Sequence, residues 1–82
     1  MYNVYIIKSR KNKKYYIGYT SNQENRIKKH NSGENISTKY GAPWELIYSE
    51  RFENKREAWL GEKQIKKFKG GEAFKKLIGL ID

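Results

Sequence analysis

Eighty-two residues without an internal repeat are enough for one domain and too few for two, so a single domain spanning 1–82 is expected. The absence of cysteine excludes disulfide staples, zinc knuckles and thiol chemistry, and a lone histidine excludes zinc sites built from imidazoles. Eighteen Lys and Arg against nine Asp and Glu leave a net charge of +9, which points to a polyanionic partner, nucleic acid foremost.

Hydrophobic residues make up 37% of the chain, and aromatics, at 15%, supply bulk for a small core. The apolar run Val4-Tyr5-Ile6-Ile7 is far too short to span a membrane. No charged-then-apolar leader opens the chain, so a cytoplasmic, unprocessed protein with no membrane partner is expected.

Residues 2–8 are β-branched and aromatic and read as a strand; 15–20 read as a second, joined to the first by a polar turn. A turn centred between Arg10 and Lys11 would set Tyr5 opposite Tyr16 on one face. Ser21 with Glu24 reads as a capping box for a basic surface helix that stops at Gly33, with Ile27 as its main apolar residue. Residues 33–43 form a loop about twice the usual connection length, a length that more often serves function.

Trp44, Leu46, Tyr48 and Phe52 recur at even spacing and predict a third strand over about 45–52. Asn54 with Glu57 caps a further helix that ends at Gly70-Gly71, with Ala58, Ile65 and Phe68 as its apolar stripe and Lys63, Lys66 and Lys67 turned away. Phe74, Leu77, Ile78 and Ile81 follow helical spacing and predict a short packing helix. The expected fold is α+β: a small three-stranded antiparallel sheet flanked by helices, in the order β-β-α-β-α-α.

Three features carry chemistry. Tyr5 and Tyr16 share a sheet face, and Gly18 marks a place where a ligand or backbone approaches the strand; packing alone would also explain the pair. Arg26 and His30, four apart, project from one helix face and combine a forked phosphate donor with a group that titrates near neutrality. Glu62 borders an apolar stripe, where a carboxylate needs either a bound cation or an ion pair with Lys66.

Together these residues resemble the GIY-YIG nuclease family. Val4-Tyr5-Ile6 and Tyr16-Ile17-Gly18 match its paired tripeptides; Arg26, His30-Asn31-Ser32-Gly33, Thr38, Pro43-Trp44, Glu57-Ala58 and Glu62 agree in order and spacing. The likeness runs from about Asn3 to Leu80 and is greatest to small stand-alone members related to the nuclease module of bacterial excision repair. Two departures stand out: Asn3 replaces the first Gly, and Tyr19 stands where some repair members have a Lys.

The resemblance implies hydrolysis of a DNA phosphodiester with Mg2+, or Mn2+ as a substitute. It implies that Tyr5 and Tyr16 are the site tyrosines, Arg26 the phosphate clamp, His30 a base or proton relay and Glu62 the metal ligand. The choice of general base between Tyr5 and His30 stays open. Lys28, Lys29, Lys39, Tyr40, Lys63, Lys66 and Lys67 are the expected DNA-contacting residues, spread over two helices and the long loop. A bare domain of this size would need a targeting partner or a second copy to direct cleavage. The alternative is a non-catalytic nucleic-acid-binding module on the same fold.

Overall fold

A computed structural model describes residues 1–34, 38–69 and 71–79. The order is β1 (Tyr2–Ser9), β2 (Tyr15–Thr20), α1 (Gln23–Ser32), a 3-10 turn (Lys39–Gly41), β3 (Trp44–Phe52), α2 (Lys55–Phe68) and α3 (Glu72–Leu77). The three strands form one antiparallel sheet in the order β2-β1-β3. The expected α+β architecture and its element order are both present.

β1 is the central strand, and Val4, Tyr5, Ile6 and Ile7 are all fully buried. An uninterrupted apolar run is what a strand needs when both of its faces are covered. Val4 and Ile6 join Ile17, Ala58, Ile65 and Phe74 on the face under α2 and α3. Tyr5 and Ile7 join Trp44 on the opposite face, with Tyr16 and Ile27 packed against them.

The hairpin register differs from the expected one. Tyr5 pairs with Gly18 and Tyr16 with Ile7, so the turn is centred between Lys11 and Asn12, one residue later than predicted. A slip of that kind moves the partner by two positions and keeps every side chain on its face. Tyr5 and Tyr16 are therefore diagonal neighbours, with ring centroids 6.4 Å apart.

β3 begins at Trp44 and carries a bulge: Ile7 pairs with Leu46 but Ile6 with Tyr48, leaving Ile47 as the extra residue. The bulge reverses the alternation. Trp44 and Leu46 thus share the face of Tyr5, whereas Tyr48 and Phe52 lie on the α2 side, so their even spacing does not mean one face.

The cap of α1 is also shifted. Asn22, not Ser21, is the N-cap, its side chain accepting from the Asn25 N–H at 3.1 Å, while Gly33 closes the helix in the left-handed region at φ 81°. Asn54 caps α2 as expected, accepting from the Glu57 N–H. Gly70 and Ile81, and residues 35–37 of the long connection, lie outside the described residues. No helix among the described residues is long and apolar enough to cross a membrane.

Candidate active site

A cleft of about 410 Å³ runs along β2, an edge strand, between α1 and α2. Tyr5, Tyr16, Arg26 and Glu62 line it together, drawn from β1, β2, α1 and α2. Four of the five expected catalytic residues thus meet at one place, although 57 positions separate Tyr5 from Glu62 in the chain.

Gly18 lets them meet. A Cβ at this position would lie 2.6 Å from the Tyr5 hydroxyl oxygen and 3.2 Å from Cε1 of Tyr16. The close approach that this glycine permits is that of Tyr5, across the strand pair, and Gly18 also lines the cleft.

His30 is the fifth residue, and it stands behind the cleft. α1 was expected to be a basic surface helix, but His30 is fully buried and both ring nitrogens have partners. Nε2 lies 2.9 Å from the Tyr5 hydroxyl, and Nδ1 lies 2.7 Å from the Thr38 hydroxyl. Tyr16 packs on the same ring, with centroids 4.8 Å apart. Thr38 is held in turn, its carbonyl accepting from the Trp44 indole N–H at 2.9 Å. Asn31 ties α1 to the start of β3, its side-chain oxygen accepting from the Trp44 backbone N–H at 2.6 Å. One buried histidine cannot be told from a solvated one by a basic helical pattern alone. The residues that bury it come from outside its helix: Tyr5 and Tyr16 from the first two strands and Thr38 from the loop that follows.

The electrostatics of the site follow from burial. Burial is the largest influence on Tyr5 and lifts its phenol well above the ordinary value of 10.0. The neighbouring Tyr16 and Glu62 act in the same direction, and Arg26 opposes them by its charge and by hydrogen bonding. His30 is held below its ordinary 6.5, first by burial and then by the charge of Arg26. At neutral pH the pair is therefore a neutral phenol against a neutral imidazole. In that state each ring nitrogen has a single role, one donating and one accepting.

Glu62 is the carboxylate in the cleft wall, its side chain 12% exposed, and Lys66 reaches back to it at 2.5 Å. Lys66 therefore belongs beside the site, although it was expected to turn away. Among the described residues there is no group of three or more His, Asp or Glu that could cage a metal ion. A single hard oxygen donor fits Mg2+, which keeps most of its waters and takes its remaining ligands from a substrate phosphate. It fits neither zinc nor a calcium cage.

The other expected DNA-contacting residues do not line the cleft. Lys28 and Lys29 lie on the exposed side of α1, with Lys28 3.9 Å from Glu24. Lys39 and Tyr40 occupy the exposed 3-10 turn, the ammonium 5.4 Å from the centre of the Tyr40 ring. Lys63 sits over Trp59 on the outer side of α2, and Lys67 is also exposed there.

Sequence reasoning missed Lys55, which opens α2 and lines the cleft with Glu62. Its signal was present: Lys55, Ala58, Glu62 and Ile65 fall at i, i+3, i+7 and i+10, on the inward stripe of one helix. A cation in the first turn of a helix opposes the macrodipole, so its place there brings α2 no benefit.

Comparison with known proteins agrees with this geometry. The family model described as the GIY-YIG catalytic domain matches residues 1–75. The UPF0213 protein CPE1444 of Clostridium perfringens is 49% identical over 65 residues, covering 78% of this chain and 69% of that protein. The UPF0213 protein SH2523 of Staphylococcus haemolyticus is 46% identical over 66 residues, covering 79% of each. The solution NMR structure of the UPF0213 protein BH0048 from Bacillus halodurans superposes with a TM-score of 0.60 at 32% identity, covering 98% of this chain and 85% of that one. The chain belongs to the GIY-YIG nuclease family and is akin to its small UPF0213 proteins.

Proposed function

We propose that this protein is a divalent-metal-dependent DNA endonuclease whose reaction runs in the cleft between α1 and α2. The observation that carries the reading is the convergence of Tyr5, Tyr16, Arg26 and Glu62 on one cleft, with His30 bonded to Tyr5 from behind. Packing alone would account for the tyrosine pair. It does not account for a guanidinium and a carboxylate brought to the same cleft from two different helices.

The buried pair favours Tyr5 over His30 as the base. Both side chains are fully buried, but Tyr5 lines the cleft and His30 does not, so in this reading Tyr5 is the group that meets the attacking water. Tyr5 forms the cleft floor, and its raised pKa keeps it a neutral phenol, so it must give up one proton as it takes another. A water at the floor passes its proton to the Tyr5 oxygen. The Tyr5 proton moves to Nε2 of His30, and Nδ1–H stays donated to Thr38. The imidazolium that results is transient, since burial and Arg26 both disfavour it.

Arg26 binds the non-bridging oxygens of the scissile phosphate, where its fork matches their geometry and its charge offsets what develops at phosphorus. Glu62 would hold Mg2+ or Mn2+, releasing Lys66 to solvent or to a phosphate. A divalent ion bound there supplies Lewis-acid polarisation of the phosphate and charge neutralisation at the leaving oxygen. A role in DNA repair or processing is consistent with the excision-repair resemblance.

One observation favours the alternative, a binding module without catalysis: Lys66 already satisfies the Glu62 carboxylate. Incubating the purified protein with supercoiled, nicked, branched and single-stranded DNA, with magnesium or with chelator, separates the two. The endonuclease reading requires magnesium-dependent strand breaks on at least one of these. Binding to all of them with no cleavage in magnesium or manganese would make the module reading the better one.

A further inference from the structure

We infer that the groove beside the cleft, built on Trp59, is a stacking site for an unpaired nucleobase, which makes DNA with single-stranded character the preferred substrate class. This inference rests on the nuclease reading above and names the form of DNA that its site accepts. Trp59, on α2, is left 41% exposed. It lines a groove of about 320 Å³ together with Tyr19, Lys55 and Arg56. Tyr19 and Lys55 also line the catalytic cleft, so the two depressions share a wall.

The helical pattern explains the division of labour. Lys55, Ala58 and Glu62 form the stripe that faces the cleft, while Arg56, Trp59 and Lys63, at i, i+3 and i+7, form the adjacent stripe. The Lys63 ammonium sits 4.0 Å from the centre of the indole ring. Lys55 and Arg56 thus line the groove beside the indole, Lys63 lies over its ring, and no carboxylate among the described residues lines the groove. A flat partner can cover the exposed ring, displacing the Lys63 ammonium from it, and the cations favour an anionic one. A nucleotide satisfies both demands, with the base on the ring and its phosphates on Lys55, Arg56 and Lys63. Bases within a duplex are already stacked on both faces, so only an unpaired base is free to use the indole. Because Lys55 lines both depressions, the stacked nucleotide would lie next to the scissile phosphate.

The test uses metal-free protein with chelator present, so that nothing is cut, and two probes: a short oligothymidylate and a blunt duplex. Indole fluorescence reports on Trp59, because the second tryptophan, Trp44, is buried and bonded through its N–H to Thr38. The expected result is tighter binding of the oligothymidylate than of the duplex, with quenching of the indole. Trp59→Ala should weaken oligothymidylate binding roughly tenfold or more, and Trp59→Phe should retain most of it. Thermal midpoints of both variants establish that they are folded. Unchanged oligothymidylate affinity in Trp59→Ala, or tighter duplex binding without quenching, would overturn the stacking site and leave the nuclease reading standing. A wild-type protein that binds neither probe would overturn both.

Discussion

The Tyr5 hydroxyl and Nε2 of His30 are 2.9 Å apart, a buried bond joining the central strand to the first helix across 25 residues of sequence. It makes the phenol at the cleft floor and the imidazole behind it one unit. Tyr5→Phe keeps the ring packed against Tyr16 but leaves Nε2 buried without its partner. The expected cost is about 1–3 kcal/mol of stability and a cleavage rate lower by roughly 10²–10⁴. Single-turnover cleavage and a denaturation curve on the same preparation read both. A variant that cuts at the wild-type rate would remove Tyr5 from the chemistry.

In the proposed relay, His30 sets an acid limit on cleavage. Its pKa in the folded protein lies below the ordinary 6.5, so the imidazole stays neutral and able to accept a proton down to a pH below that value. Cleavage should therefore hold steady from neutrality to below 6.5 and then fall. Folding stability follows the same sign: the contribution is complete above the unfolded-state value and is lost as pH falls through the folded value. His30→Gln should lack this component. Because the chain has a single histidine, its proton resonances titrate without overlap. Arg26→Ala should move that titration upward, since the guanidinium charge helps to lower it.

Gly18 gives a test of placement alone. In Gly18→Ala the new methyl would meet the Tyr5 hydroxyl oxygen at 2.6 Å and Cζ at 2.8 Å, so the Tyr5 ring must shift. The expected outcome is a loss of about 1–3 kcal/mol together with strongly reduced cleavage and near-normal DNA affinity. Equal rates for Gly18→Ala and wild type would mean that the position of the Tyr5 hydroxyl is not critical.

Most of the fold was legible because it is written locally. The doubly buried strand β1 reads from four consecutive apolar residues, the cap of α2 from Asn54, and the end of α1 from Gly33. Three features depended on pairings that no local pattern encodes. The hairpin centre moved by one residue, the bulge at Ile47 turned Tyr48 to the opposite face from Trp44, and His30 was enclosed by Tyr5 and Thr38. Tyr5, Tyr16, Arg26 and Glu62, which meet at the cleft, were legible through the family resemblance and their spacing. Lys55 was not, because a lysine at a helix start in so basic a chain looks like one more solvated charge, and only its phase with Glu62 sets it apart.

Position relative to the cleft also predicts which cations matter to DNA. Affinity should fall steeply with salt, as expected for a chain of net charge +9. Lys55→Ala should lower the slope of log K against log salt by about one. Lys28→Ala should lower it less, because Lys28 lies away from the cleft beside Glu24. Equal losses in both variants would place the DNA path over α1 instead of the cleft.

The central claim is that Glu62 binds the metal on which cleavage depends. The measurement that tests it most directly is cleavage by Glu62→Gln in magnesium, set against its DNA affinity in chelator. The substitution keeps size and hydrogen-bonding capacity and removes the charge that attracts a cation. Cleavage should drop by roughly 10² or more, in the range of losing a principal electrostatic group, while DNA affinity stays equal or rises because a negative charge has left the cleft and Lys66 is released. If Glu62 serves only as the partner of Lys66, a pair of this kind contributes about 0.3–0.5 kcal/mol, and the reaction would be untouched. A folded Glu62→Gln protein that cuts DNA at the wild-type rate would contradict the account.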